Sequence, residues 1–513
     1  VSDPAPAQSA GTETAATETK DVAHAARSGA MQALTVAAQA MLMVTQILLV
    51  KLFGAVVFGS YQTCLAIVEM LTRAGTGGAD KGMLRYVAAH RARGEADLVR
   101  GALGTGLRLA LGTAGTLALA LIAAAGIVAW RVHAPALQGA LRIMAPAAIC
   151  TGCVYVLVNA SLAAKVTHAN FIVRGLGEPM LLMAAGLMAA LFGRTLTHLA
   201  TAHVLAAALT LTLALFVVGR VFGRGEIARA IRTPWLPGFA GFSVPIGAAE
   251  LLNTILQRAD VILLTTFVGP KVTAIYAAAE FISRIIGNAR YIFDAVAAPV
   301  FAEAMHLGQA DRLRDNLRLM SRWVVTAAAP IAVTVMALRH DLLSLYGPTF
   351  QAGSVAIVVL SASHLVNASL GLTGYVVLVA GRSRLIVLYN LIAAGLNVTL
   401  NLILIPRFGM VGGAIGALVS VTCYHTLFIV TVRLEHGASP IGWATLKPLA
   451  AAAAMLAVES WIGGHVAHVG RRIPLVIASG LLSYLGVLVA LGLAPEDRRL
   501  FAGLWNRIRP GAR

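Results

Sequence analysis

Charge is scarce in this chain. Only 12% of its 513 residues are Asp, Glu, Lys or Arg, against about one quarter in an ordinary soluble domain. Aromatic residues are also few, at 6%. Four cysteines are too few for a disulfide framework. Cys150 and Cys153 have a C-x-x-C spacing, but they lie inside an apolar run with no second pair and no histidine cluster. They read as small core residues, not as a metal or redox site. A phosphate loop is also missing. Gly77-Gly78-Ala79-Asp80-Lys81-Gly82 lacks the G-x-x-x-x-G-K-[ST] spacing, and no strand precedes it. Residues 1–27 are rich in Ala, Thr, Ser and Glu and show no apolar signal segment, so they read as a disordered cytoplasmic tail.

What the chain does have is apolar sequence, 58% of it. Runs of spanning length recur to the end, and about fourteen fit the ~20 residues that a crossing helix needs. The second (55–74) and eighth (271–304) read as broken or overlong. The expectation is an all-α polytopic membrane protein. No connection is long enough to fold as a separate domain, which argues against a membrane-bound glycosyltransferase or polymerase. The net charge of +18 fits a cytoplasmic excess of Lys and Arg. With the N-terminus inside, Arg91, Arg93, Arg100, Arg220, Arg229, Arg312 and Arg314 fall in cytoplasmic segments. The smaller share, including Lys51, Arg131, Arg194 and Arg339, falls outside. Both termini are therefore expected in the cytoplasm. No soluble basic face exists to bind nucleic acid.

The two halves of the chain resemble each other at an offset of about 214 residues. Asp80 pairs with Asp294, Asp97 with Asp311, Arg100 with Arg314 and Arg108 with Arg322, and "GEADLVR" (94–100) matches "GQADRLR" (308–314). An even number of helices per unit makes the repeats parallel, with a cavity expected between them. The expected organisation is a six-helix bundle over 28–222, a basic linker over 223–237 and a second six-helix bundle over 238–435. An extra helix pair over 436–495 and a basic tail over 496–513 complete it.

Polar residues inside the spans recur at helical spacing. One face carries Gln32, Thr35, Gln39 and Gln46. Another carries Glu250, Asn253, Gln257 and Asp260. A third carries Glu280, Arg284, Asn288, Tyr291 and Asp294 below Tyr276. Glu69 and Arg73 stand four residues apart, and Asn390, Asn397 and Asn401 align. Ionisable groups at such depth cost roughly 2.5–3.5 kcal/mol each and usually line a path, although interhelical hydrogen bonding accounts for the amides equally well. The cations at or within spans are Arg73, Lys81, Arg85, Arg108, Arg174, Arg258, Arg284 and Arg290. Of these, Arg73, Lys81, Arg85, Arg258, Arg284 and Arg290 are candidates for a diphosphate or acidic-sugar head group. Glu69, Asp80, Glu250, Asp260, Glu280 and Asp294 are candidates for ion coupling or for pairing with those cations. Gln39, Asn253, Gln257, Asn288 and Asn397 are the candidate polar lining. Glu178-Pro179 marks a kink in the fifth span. No metal or cofactor is called for.

The stretch "AGRSRLIVLYNLIAAGLNVTLNLILIPRFGMVGGAIGALVS" (380–420) resembles the polysaccharide transporter family, through Gly381-Arg382, Asn390, Asn397, Asn401, Ile405-Pro406, Phe408-Gly409 and Gly412-Gly413. "LFGAVVFGSYQ" (52–62), "RADVILLTTFVGPKVTAIYAAAEF" (258–281) and "LYGPTFQAG" (345–353) add to the likeness. The resemblance implies the multidrug/oligosaccharidyl-lipid/polysaccharide (MOP) exporter superfamily, with a V-shaped pair of bundles, and within it the Wzx-like flippases. Such a protein would move polyprenyl-diphosphate-linked oligosaccharide to the outer leaflet of a bacterial inner membrane. Membrane lipids, and glycan polymerase or glycosyltransferases, would be its partners. The first span lacks the arginine-rich start associated with lipid II flippases. Two readings stand beside this one: a cation-coupled multidrug exporter, and a non-transporting scaffold for glycan assembly.

Overall fold

The structure is a computed structural model. It describes residues 9–492 apart from 224, 467 and 468, and it leaves the side chains of 9–37, 292, 295 and 469 undescribed. The described residues form helices and short connections without a strand. Eleven helices are long and apolar enough to cross a membrane, or twelve if the bent pair Pro270–Tyr291 and Val296–His306 forms one span. This is a multi-pass membrane protein. A helix satisfies most of its backbone polar groups internally, as hydrocarbon requires.

Two of these helices are far longer than one crossing. Ala38–Ala92 has 55 residues and Ser383–His436 has 54. Each contains a glycine outside helical geometry, Gly54 (φ 79°) and Gly409 (φ 57°). Side-chain contacts show that the chain folds back there. Gln62 Nε2 donates to Gln46 Oε1 at 2.9 Å, whereas sixteen residues along a straight helix would separate them by about 24 Å. Asn401 likewise packs against Gly416, where a Cβ would collide with its amide oxygen. The expectation of about fourteen spans counts each leg of these hairpins separately and includes the bent pair.

The repeat survives in local geometry. Gly94 and Gly308 are both left-handed, at φ 73° and 65°. The residues after them, Glu95 and Gln309, cap helices that begin at Ala96 and Ala310. One turn on, Arg100 pairs with Asp97 at 2.7 Å and Arg314 with Asp311 at 3.0 Å. A left-handed turn favours glycine, so the paired "GEAD" and "GQAD" texts encode one turn twice.

The C-terminal pair, Trp443–His465 and Gly470–Ala490, packs on helix Ala310–Ala337. Tyr484 donates to the Thr326 carbonyl at 2.9 Å, and Thr334 donates to buried Glu459 at 2.9 Å. A Cβ at Gly480 would occupy the space of the Glu459 carboxyl. The first helix begins at Ser9, inside the segment 1–27 expected to be disordered. Its Ala, Glu and Lys content favours helix. Residues 1–8 of that segment, and the basic tail 496–513, lie outside the described residues.

Candidate functional site at the seam between the halves

The outer leg of the first hairpin and the helix after it, residues 55–92, run antiparallel to helix Phe239–Phe267 of the second half. Glycines let the backbones touch. A Cβ at Gly59 would collide with the Pro270 carbonyl, and one at Gly78 with the Ser243 carbonyl. One at Gly247 would meet the backbone of Gly77 and Gly78, and one at Gly82 the Ser243 hydroxyl and Phe239. Thr63 and Thr265 join hydroxyls across the same seam at 2.5 Å.

Charges lie along this glycine seam. Arg258 meets Glu69 in a two-point pair, Nε to Oε2 at 2.6 Å and Nη2 to Oε1 at 3.2 Å. Lys81 meets Glu250 at 3.3 Å. Both pairs join the two halves, and all four side chains are only partly exposed. An arginine fork on a carboxylate is the stronger of the two arrangements. Arg85 lies over the ring of Phe242, 4.3 Å from its centroid, which adds a cation–π contact across the seam. Asp80, in the first turn of helix Ala79–Ala92, is buried at 4% exposure.

The remaining candidates sit inside one half. Asp260 is buried and accepts hydrogen bonds from the Tyr276 hydroxyl and from the Val261 N–H. Glu280 pairs with Arg284 at 2.9 Å and stands 3.7 Å from His364. Arg290 pairs with Asp294 at 3.3 Å and donates to the Asn367 carbonyl at 3.2 Å. His425 also contacts the Asn367 side chain, at 3.0 Å. Gln257 donates to Asn253 at 3.2 Å on one helix face. Gln39 and Asn288 are half-buried, and Gln32 and Thr35 lie outside the described side chains.

One expectation is corrected. Asn397 does not line an opening. It is fully buried, accepts from Asn401 at 3.0 Å, and belongs to the packing of the Gly409 hairpin. Arg73, Arg258 and Arg284 each contact a different side chain. Arg258 engages Glu69 and Arg284 engages Glu280, while Arg73 lies over Tyr155, 4.4 Å from its centroid. The kink before Pro179 takes the form of a π-helical segment, Phe171–Gly177, which turns Arg174 onto the same Tyr155 ring at 4.4 Å. Tyr155 carries no signal of its own in the sequence, because a lone aromatic in an apolar run forms no pattern. Among the described residues no cluster of three potential metal ligands exists, and the described cysteines are unbridged.

Outside the spans, two carboxyls are shifted by their neighbours. Hydrogen bonding to Arg100 holds Glu226 below its usual range, with Arg229 adding to the effect. Hydrogen bonding to His90 does the same for Glu95.

This architecture of two repeated bundles is the fold of MOP-superfamily transporters. The structure matches the lipid II flippase MurJ in an inward closed conformation with a TM-score of 0.68 at 12% identity, covering 88% of this chain and 97% of that one. An inward-facing multidrug resistance MATE family transporter matches with a TM-score of 0.64 at 12% identity, over 78% and 94%. A MOP superfamily transporter from Pyrococcus furiosus matches at 0.59 and 12%, over 79% and 94%. At the level of sequence, residues 28–305 match the polysaccharide biosynthesis protein family, and the chain belongs to it. The "Probable flippase AglR" of Haloferax volcanii is 28% identical over 256 residues, 47% of this chain. The match spans 51%, about half, of that relative's length.

Proposed function

We propose that this protein carries a polyprenyl-diphosphate-linked oligosaccharide from the cytoplasmic to the outer leaflet of a bacterial inner membrane, for cell-surface polysaccharide assembly. The two halves would rock about the seam, with both termini cytoplasmic. The observation that carries this reading is the set of charge pairs bridging the halves, Glu69–Arg258 and Lys81–Glu250, in a chain of a polysaccharide biosynthesis family. A polar head group cannot cross about 30 Å of hydrocarbon unaided. Charged groups that can exchange partners between protein and substrate supply a path for it. A proton moving down 100 mV releases about 2.3 kcal/mol, enough to bias a two-state equilibrium.

The test is deletion of the gene followed by analysis of lipid-linked glycans in the cytoplasmic leaflet. Accumulation that is reversed by the intact gene supports the reading. Raised drug sensitivity without accumulation would replace it with cation-coupled drug export, an alternative favoured by the likeness to the MATE fold. Normal glycan display after neutralisation of both seam pairs would point instead to a scaffold for glycan polymerase or glycosyltransferases.

A further inference from the structure

We infer that Arg73, Tyr155 and Arg174 form a diphosphate-binding clamp inside the first half, set apart from the seam pairs. The inference rests on the transport reading above and narrows the head-group contact to one place.

The geometry is specific. Both guanidinium carbons lie 4.4 Å from the centroid of the Tyr155 ring. The two charges are therefore at most about 9 Å apart, twice that distance. Two cations on one ring repel each other unless an anion lies between or beside them. Carboxylates stand nearby, but among the described residues none hydrogen-bonds either guanidinium. Among the described residues Arg73 has no ion pair. Arg174 has Glu178, but at 3.9 Å, beyond hydrogen-bond reach. The buried Arg174 Nε has no hydrogen-bond partner among the described residues. Asp80 and Glu69 act on Arg174 only through space, and Glu69 is held by Arg258.

The local fold is built to make this arrangement. Arg174 lies in the π-helical segment Phe171–Gly177, a feature that recurs at functional sites. Glycine is required at its end. A Cβ on Gly177 would stand 2.8 Å from the carbonyl oxygen of Ile172, five residues back, and 2.6 Å from Leu213. An ordinary α-helical turn would point residue 174 in another direction. Tyr155 stands on the face that also holds Thr151 and Asn159. These three are half-buried, while Gly152, Cys153, Val154, Val156, Leu157 and Val158 between them are buried. That face therefore borders an opening, and Thr151 lines a cleft there together with Glu178, His203 and Thr210.

The ligand chemistry follows. Arginine forks suit phosphoryl oxygens better than a compact ammonium does. Two forks held by one ring present donors to two linked phosphoryl groups at once, which a monophosphate cannot satisfy. The ring itself offers a stacking platform and no competing charge. The same chemistry would accept a lipid-linked diphosphate or free pyrophosphate.

The experiment is equilibrium binding of radiolabelled farnesyl diphosphate to the purified full chain in detergent, with farnesyl monophosphate and inorganic pyrophosphate as competitors. Farnesyl diphosphate is expected to bind at least about tenfold more tightly than the monophosphate. Arg73→Ala and Arg174→Ala should each weaken it by about ten- to hundredfold, the loss of a charge-assisted contact. Tyr155→Phe should retain binding and Tyr155→Leu should lose it, while Arg131→Ala, on an exposed tryptophan, should change nothing. Elution volume and melting midpoint identify any variant that fails to fold, and for such a position Arg→Lys replaces Arg→Ala with the same expected direction. Competition by pyrophosphate as strong as by the prenylated probe assigns recognition to the diphosphate alone, and weaker competition assigns it to the lipid head group. Either supports the clamp. No binding of farnesyl diphosphate, equal binding of the monophosphate, or affinity unchanged in both arginine variants would overturn it. Binding that depends on the clamp, in a strain whose glycan export survives gene deletion, would instead leave the clamp standing and remove the transport reading.

Discussion

Arg258 of the second half grips Glu69 of the first, with Nε 2.6 Å from one carboxylate oxygen and Nη2 3.2 Å from the other. The pair spans two bundles, so it exists only in conformations where residues 55–92 lie against helix Phe239–Phe267. On the proposed transport function, charge reversal at either position should reduce surface glycan by about tenfold or more, since an unpaired charge in a partly buried site costs roughly 1–3 kcal/mol after solvent screening. The exchange Glu69→Arg with Arg258→Glu should recover most of that loss. A double variant no better than the singles would show that the residues act separately.

Glycine at the seam is the second point of control. Gly78 combines a left-handed backbone with contact against the Ser243 carbonyl. Gly78→Ala should destabilise the protein by about 2–3 kcal/mol, from backbone strain and overpacking together. Gly94→Ala meets open space and should cost only about 1 kcal/mol, the backbone component alone. Melting midpoints of the two variants in one detergent give the comparison, and equal midpoints would remove close packing as the reason for glycine at 78.

Buried Asp260 depends on the Tyr276 hydroxyl as its side-chain donor. Tyr276→Phe keeps the ring but leaves the carboxylate with one backbone partner, and should cost about 1–3 kcal/mol. Asp260→Asn in the Tyr276→Phe background should recover part of that loss, because an amide is cheaper to bury than a charge. Thermal unfolding of the single and double variants decides it.

The linker between the halves should respond to acid. Glu226, on the short helix Glu226–Ile231, is held below the usual carboxylate value of 4.5 by Arg100 at 2.7 Å. A depressed pKa stabilises the folded state above the unfolded value and loses that contribution as pH falls through the folded one. Protease cleavage between residues 223 and 237 should therefore accelerate below pH 4.5, and Glu226→Gln should show the faster rate already at pH 7. A cleavage rate independent of pH in the wild type would rule out the pair as the linker's anchor.

Much of the architecture was legible before any coordinates. Apolar runs announce spans because hydrocarbon tolerates little else. The offset between Asp97–Arg100 and Asp311–Arg314 announces the repeat because one turn geometry needs glycine at 94 and at 308. Candidate charges could be named because an ionised group in a span is too costly to be incidental. Partner choice was not legible. Arg284 and Arg290 have acids on their own helix, four residues away, as spacing allows, whereas Arg258 passes over its sequence neighbours to reach Glu69, 189 residues distant. Asn397 shows the opposite outcome, since a stripe that fits a lining turned into hairpin packing once Gly409 folded the chain back. Tyr155 and Arg174 acquire meaning only because a π-helical turn brings Arg174 to a ring that Arg73 reaches from another helix. Composition and periodicity determined that this chain is a repeated bundle of membrane helices. Which charges face each other was decided by the tertiary fold, because helical spacing fixes the face of one helix but not the neighbour that covers it.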